Sequence, residues 1–335
     1  MKDYELYFSD DCIPLNKTPG RFYWKKLLNH HLNHFKDIAY LFKSIDDKNL
    51  QKQIFKEFVS IFNLETSGFC NRKCLYCPVS TYKRNDKSHL IDSSIFNKLL
   101  KNLESLEFNS SICLNYYNEP LLDPHILRHI SDLKRATNAF IHFNSNGDYL
   151  DIEMLENLIN AGLNRINITL HTKPNEIYCD DISLEKINQF YKKLDISIPQ
   201  ISINPSHSIT TECKIDNFIL QVNTINWSDI GSDRGGVVKT LSINNRINPC
   251  VRVFREIFFD FLGYAYLCCN IFPTQNNHIG SIQNQTIEEI YTKNYIYRKI
   301  LFLYSKKPKP CLTCNDESFC DGSDKKDREY ILNKI

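Results

Sequence analysis

Glycine is scarce in this chain. Only 10 occur in 335 residues, about half the usual share, which excludes collagen-like repeats and glycine-rich linkers. A charge excess of one sign is also lacking. The 41 Lys and Arg stand against 39 Asp and Glu, a formal net charge of +2, so no global field draws the chain to nucleic acid or an anionic membrane. No apolar run approaches the ~18 residues of a membrane span. The opening Met1-Lys2-Asp3-Tyr4-Glu5-Leu6 is polar and holds no signal-peptide core, so a cytoplasmic location is expected. At 42% hydrophobic residues, what remains is a folded protein with a sizeable core. Its length allows one large domain plus a small one, or two of similar size.

Cysteine is what the chain does have: 13 residues. An odd number without a secretion signal argues against a disulfide framework. In a reducing compartment, clustered cysteines ligate metal or do chemistry, so their spacing decides.

Residues 1–20 read as an irregular lead-in. From Arg21 to about Ser60, Leu27, Leu28, Leu32, Phe35, Ile38, Ala39 and Phe42 follow a helical period, which predicts one or two helices broken near Asp46-Asp47. The basic, His-rich face there (Lys25, Lys26, His30, His31, His34) reads as solvated surface. Strands are expected at Phe58–Leu64, Ser111–Tyr116, Phe140–Asn144, Arg165–Leu170, Ile196–Ile203 and Phe218–Thr224. Helices are expected at Ser93–Leu106, His125–Thr137, Ile152–Ala161, Leu184–Leu194 and Thr210–Ile215, with Gly162 as a stop after the third. Strand–helix–strand units at this spacing imply parallel βαβ winding. Six strands are too few for an eight-stranded barrel, so an open or partial barrel is expected. Trp227–Arg246 reads as a connecting loop. A hairpin, Glu256–Phe261 with Tyr264–Cys268, turns at Gly263, and a helix follows at Thr286–Tyr304 before a charged tail. No internal repeat is visible.

The segment Cys70-Asn71-Arg72-Lys73-Cys74-Leu75-Tyr76-Cys77 is a C-x3-C-x2-C motif directly after the first expected strand. Three thiolates can hold three irons of a 4Fe–4S cubane and leave the fourth open. Four-thiolate zinc sites usually show paired C-x2-C units instead, although zinc, or a chance grouping among 13 cysteines, remains an alternative. The motif resembles the cluster-binding signature of radical S-adenosylmethionine (radical SAM) enzymes, with the aromatic Tyr76 before the third cysteine. That resemblance implies an α/β fold, a partial (β/α)6 TIM-like barrel. It also implies an open iron that chelates SAM and supplies the electron that cleaves it, giving a 5′-deoxyadenosyl radical that abstracts hydrogen.

The resemblance extends to further strand ends. Tyr117-Asn118-Glu119-Pro120-Leu121 is similar to the family's Gly-Gly-Glu segment with both glycines replaced, which implies SAM contacts from Asn118 and Glu119; a polar turn before Pro120 is the plainer reading. Ser145 and Asn146 in Asn144-Ser145-Asn146-Gly147 would line the cofactor rim. Thr169, at the end of the fourth strand, would hydrogen-bond SAM. His171, where relatives often have Asp, would contact substrate or transfer a proton, against the commoner case of a structural histidine.

From Cys250 onward the pattern is C-x12-G-x4-C … C-x2-C-x5-C. It resembles the auxiliary-cluster region of the SPASM/twitch group. Asp324 stands where a full SPASM domain has its last cysteine, so one twitch-type 4Fe–4S cluster on Cys250, Cys268, Cys311 and Cys314 is implied, with Cys320 an alternative ligand. A structural zinc on the same four thiolates competes. Cys269 would point away from its neighbour Cys268. Cys12, Cys113, Cys179 and Cys213 read as packing residues.

The expected organisation is an N-terminal helical extension (1–56), a radical SAM partial barrel (57–236) and a twitch/SPASM-like cysteine-rich auxiliary domain with a tail (237–335). The implied activity is a radical SAM oxidoreductase on a small polar substrate, sugar- or aminocyclitol-like, whose electron passes to the auxiliary 4Fe–4S cluster. A peptide (RiPP) maturase is the alternative, and a non-catalytic iron–sulfur or zinc-binding module belongs to another class. Expected partners are a small-molecule or peptide substrate and a reductant such as flavodoxin or ferredoxin, with no nucleic acid and no membrane.

Overall fold

Alternation along neighbouring strands sets which way the sheet faces. In β3 (Phe140–Ser145), Ile141 and Phe143 are buried while Phe140 and Asn144 are exposed. In β4 (Arg165–Thr169), Ile166 and Ile168 are buried and Arg165, Asn167 and Thr169 occupy the opposite face. The buried face joins one core with apolar residues of four helices: α2 (Ser93–Ser105), α3 (Ile126–Ala136), α4 (Ile152–Ala161) and α5 (Asp180–Lys193). Local chemistry starts and stops these helices. Asp92 and Asp151 accept from the backbone N–H of Ser94 and Met154, and Gly162 closes α4 at φ +96°.

The computed structural model describes residues 15–17, 39–82, 89–173, 176–241, 246, 250–273, 277–303, 307–308 and 311–316. Its ten strands form one sheet: β10 (Gly280–Ser281), β9 (Tyr264–Tyr266), β8 (Glu256–Phe259), β1 (Ile61–Leu64), β2 (Ser111–Cys113), β3, β4, β7 (Phe218–Ile225), β6 (Ser208–Ile215) and β5 (Ile201–Asn204), in that spatial order. The run β8-β1-β2-β3-β4-β7 is parallel throughout and forms the α/β heart of the molecule.

Two expectations change here. Thr210–Ile215 is not a helix but most of β6, antiparallel to both β5 and β7, so the fifth and sixth expected strands belong to a meander. The sixth parallel strand is instead β8, from the cysteine-rich part of the chain, paired with β1 from Ile61↔Glu256 to Leu64↔Phe259. The sheet thus runs across residue 236, where a boundary was expected.

The break expected near Asp46-Asp47 separates a 3-10 turn (Ala39–Phe42) from α1 (Lys48–Phe58), which Asp47 caps by accepting from Leu50 N–H. The expected helix at Thr286–Tyr304 is two, α8 (Ile287–Lys293) and α9 (Tyr295–Leu303), separated at Asn294. Phe55 of α1 meets Tyr291 of α8 edge-on at 5.6 Å, tying the N-terminal helix to the C-terminal region. The His-rich segment, Cys12 and Cys320 lie outside the described residues. Of the cysteines expected to pack, Cys113 is buried, Cys213 half-buried and Cys179 exposed.

Candidate active site

The loop after β1 carries Cys70, Cys74 and Cys77 to the C-terminal ends of the parallel strands, where ligands gather in such folds. All three line one cavity of about 630 Å³. The loop is pinned from across the sheet. Arg72 donates to Asp148 from Nε (2.8 Å) and Nη2 (2.5 Å), and Asn71 donates to Asp148 at 2.6 Å. Asn146 in turn donates to Asn71 at 2.8 Å. Burial pushes the Cys70 thiol up to about 12, with Glu119, Cys77 and Cys74 adding to the rise. Thiolates there need a bound cation.

The same cavity is lined by Tyr76, Asn118, Glu119, Ser145, Asn146, Thr169 and His171, so every residue assigned to SAM by resemblance opens onto it. Glu119 is 2% exposed, and its carboxylate accepts from Ser145 Oγ (2.7 Å), Asn146 N–H (2.8 Å) and Leu121 N–H (3.2 Å). It therefore locks the end of β3 to the loop after β2. Asn118 accepts from Tyr116 N–H and donates to Ser67 Oγ. Tyr76 stacks on Trp227 at 5.3 Å, and its hydroxyl meets His171 Nδ1 at 2.5 Å. Burial, and then the charge of Arg72, lowers the His171 imidazole to about 4, so it is neutral near pH 7. A second cavity of about 660 Å³ adjoins the first, sharing Arg72, Cys74, Tyr76, Ile225 and Trp227 with it.

The second cysteine group is assembled by three stretches of chain. Cys250 precedes α7 (Arg252–Arg255), Cys268 follows β9, and Cys311 and Cys314 follow α9. All four are at most 7% exposed. Burial, and then mutual proximity, pushes the Cys311 thiol up to about 12, and Cys268 feels Cys269, Cys311, Cys250 and Cys314 in the same way. Arg246 Nη1 points at Cys314 Sγ (3.5 Å). Among the described residues, no three His, Cys, Asp or Glu side chains are grouped to hold a metal ion. Four thiolates gathered in one buried place are the ligand set that a 4Fe–4S cluster takes, one at each corner iron. Cys269 faces another environment, where burial raises it to about 11 and the nearest charges are Arg252, Glu256 and Arg234.

Between the groups stand two tyrosines. Tyr116 donates to the carbonyl of Cys268 (3.0 Å) and Tyr117 to that of Cys269 (2.7 Å), while both rings line the first cavity. Sequence reasoning missed these tyrosines, the Arg72–Asp148 clamp, Trp227 and Arg234. It also missed a polar ladder over the concave face, Asn115–Asn144–Asn167–Arg165. The alternation of His142 and Asn144, and of Arg165 and Asn167, in the strands carried a signal for that ladder.

Fold and site together define a radical SAM enzyme of the SPASM/twitch group. Residues 64–195 match the Radical SAM superfamily, and residues 250–315 match an iron–sulfur cluster-binding domain, SPASM. Its cofactors are S-adenosylmethionine and 4Fe–4S clusters.

Among individual proteins, the chain is similar to the S-adenosyl-L-methionine-dependent 2-deoxy-scyllo-inosamine dehydrogenase of Niallia circulans. They are 24% identical over 268 residues, which cover 77% of this chain and 94% of that protein. It is also similar to a probable GTP 3′,8-cyclase of Methanocaldococcus jannaschii, 26% identical over 158 residues, 46% of this chain and 51% of that one. The crystal structure of BtrN in complex with AdoMet and 2-DOIA has the same fold. Its TM-score is 0.60 at 23% identity, over 78% of this chain and 95% of that one. No helix among the described residues is long and apolar enough to cross a membrane.

Proposed function

We propose that the protein is a radical SAM oxidoreductase that dehydrogenates a small polar ring substrate, sugar- or cyclitol-like. The observation carrying this reading is one cavity that the three-cysteine loop and two tyrosines bonded to the Cys268–Cys269 backbone line together. At about 630 Å³ it falls in the ~300–1,000 Å³ range of small-molecule sites. The 94% coverage of a relative named as a dehydrogenase supports the same reaction class.

In this reading Cys70, Cys74 and Cys77 hold the SAM-binding cluster, and Cys250, Cys268, Cys311 and Cys314 hold the auxiliary one. Together the bound cofactors supply hydrogen-atom abstraction by a 5′-deoxyadenosyl radical and an acceptor for the electron the substrate then releases. The chain's own residues do the positioning. Asn118, Ser145, Asn146 and Thr169 offer hydrogen bonds at the strand ends, with Glu119 fixing two of them. The Tyr76–Trp227 stack closes one side of the cavity, and neutral His171, held by Tyr76, faces the substrate there. A flavodoxin- or ferredoxin-type reductant would supply the first electron. Residues 57–236 and 237–335 then correspond to the two cofactor-binding parts.

Anaerobic reconstitution tests this. Eight irons per chain and 5′-deoxyadenosine formed from SAM with dithionite are expected, with deuterium entering it from carbon-deuterated sugars or cyclitols. Replacing Cys70, Cys74 and Cys77 by Ala should leave four irons and abolish cleavage, whereas Cys250→Ala with Cys268→Ala should leave four irons and retain it. Four irons in the unaltered protein would refute the auxiliary cluster.

A further inference from the structure

Most charged groups around the catalytic cavity are tied to partners within the protein. Arg72 is matched by Asp148, and Arg165 is matched by Glu212 at 2.9 Å. Glu119 already accepts three protein donors. Burial lowers His142 and His171 each to about 4, so both are neutral near pH 7. Among the described residues, one cation has no carboxylate among its hydrogen-bond partners.

That cation is Arg234, on the loop after α6 (Trp227–Ile230), which lines the cavity together with Cys77 and Tyr117. Its guanidinium finds a single protein acceptor among the described residues, Asn270 Oδ1 at 3.1 Å from Nη1. The acid whose charge it feels, Asp316, already accepts from Arg252 (3.0 Å) and Asn270 (2.5 Å). The side chain is half-buried, and the unused part of its planar fork matches a carboxylate or phosphate.

We propose that Arg234, held by Asn270, binds an oxyanion of the substrate, a carboxylate or phosphate, inside the catalytic cavity. Glu119, the carboxylate that lines that cavity among the described residues, already accepts three protein donors. The substrate class is then an acidic or phosphorylated sugar or cyclitol. This rests on the proposed reading of the cavity as the substrate site. The same oxyanion chemistry has a second source, the carboxylate of SAM itself, and Cys77 lies within electrostatic reach, so the test separates all three.

Calorimetric binding to reconstituted holoenzyme, with SAM present and no reductant, reads the site without turnover. The probes are inorganic phosphate, glucuronate, glucose 6-phosphate, myo-inositol and glucosamine. The acidic probes should bind, and Arg234→Gln should weaken them about tenfold or more while Arg234→Lys retains part of the affinity. SAM affinity and the midpoint potential of the SAM-binding cluster should stay unchanged in both variants. The proposal is overturned if the unaltered enzyme binds no acidic probe or prefers glucosamine to glucuronate. It is overturned equally if Arg234→Gln weakens SAM while sparing the acidic probes, or shifts the potential alone. Loss of SAM cleavage in the unaltered enzyme would sink the proposed function instead, and that assay is separate because binding is measured without reductant.

Discussion

At the scale of single residues, buried polar groups fix where the site-bearing loops go. Asp123 is the clearest case outside the cavity. Its Oδ2 lies 3.2 Å from His129 Nδ1, its Oδ1 accepts from His125 N–H, and both side chains are at most 2% exposed. Burial pushes the Asp123 carboxyl up, but hydrogen bonds from His129 and from His125 N–H outweigh it and hold the group below the usual carboxylate range. A carboxyl depressed in the folded state stabilises the fold above its unfolded pKa of ~3.9, and that contribution fades as pH falls through the folded value. Thermal melts of cluster-free protein should therefore show a gap between the unaltered chain and Asp123→Asn that is constant from pH 7 to 5 and closes toward pH 3. A gap that persists undiminished at pH 3 would place its origin elsewhere. Legibility at this scale followed sequence distance. Cys70, Cys74 and Cys77 could be singled out because they lie a few residues apart, and the fold brings all three onto one cavity. Arg72 and Asp148 could not, because 76 residues separate them and only the folded sheet makes them neighbours.

At the scale of elements, β1 to β4 and their intervening helices were readable because strand and helix periods alternate and caps such as Asp151 and Gly162 mark the ends. The meander was not. In Ser208-Ile209-Thr210-Thr211-Glu212-Cys213-Lys214-Ile215 the period is short and ambiguous, and pairing with β5 and β7 on both sides settled it. The hairpin β8–β9 was anticipated from Gly263, and its geometry shows why glycine is needed. Gly263 sits at φ +80°, and a Cβ there would lie 2.7 Å from Ile282 Cγ2. Gly263→Ala should cost about 1–3 kcal/mol. Because Cys268 follows directly on β9, the same variant should lose iron from the auxiliary site before the SAM-binding one. Iron content alongside melting temperature checks this, and a variant with unchanged melting and full iron would show that the turn tolerates a side chain.

At the scale of the whole molecule, the two cofactor-binding parts share one sheet. β8 supplies the outer neighbour of β1 in a four-residue parallel register, and Phe62 of β1 lies 5.4 Å from Phe259 of β8 with both rings fully buried. A parallel strand buried on both sides cannot lose a neighbour and remain soluble, because its N–H and C=O groups and its apolar face are exposed at once. A chain ending at residue 236 would strip β1 of β8, and would also remove Tyr291 and Phe254 from the core reached by Phe55 and Phe42. Such a chain should aggregate or remain protease-sensitive even with the SAM-binding cysteines intact. The full chain should unfold in a single transition followed identically by tryptophan fluorescence and circular dichroism. Two separated transitions, or a soluble 1–236 fragment that binds four irons and cleaves SAM, would show that the parts fold independently. The shared sheet is also what holds the Tyr116 and Tyr117 hydroxyls on the Cys268–Cys269 backbone, so rigid coupling of the two cysteine groups and joint folding stand or fall together.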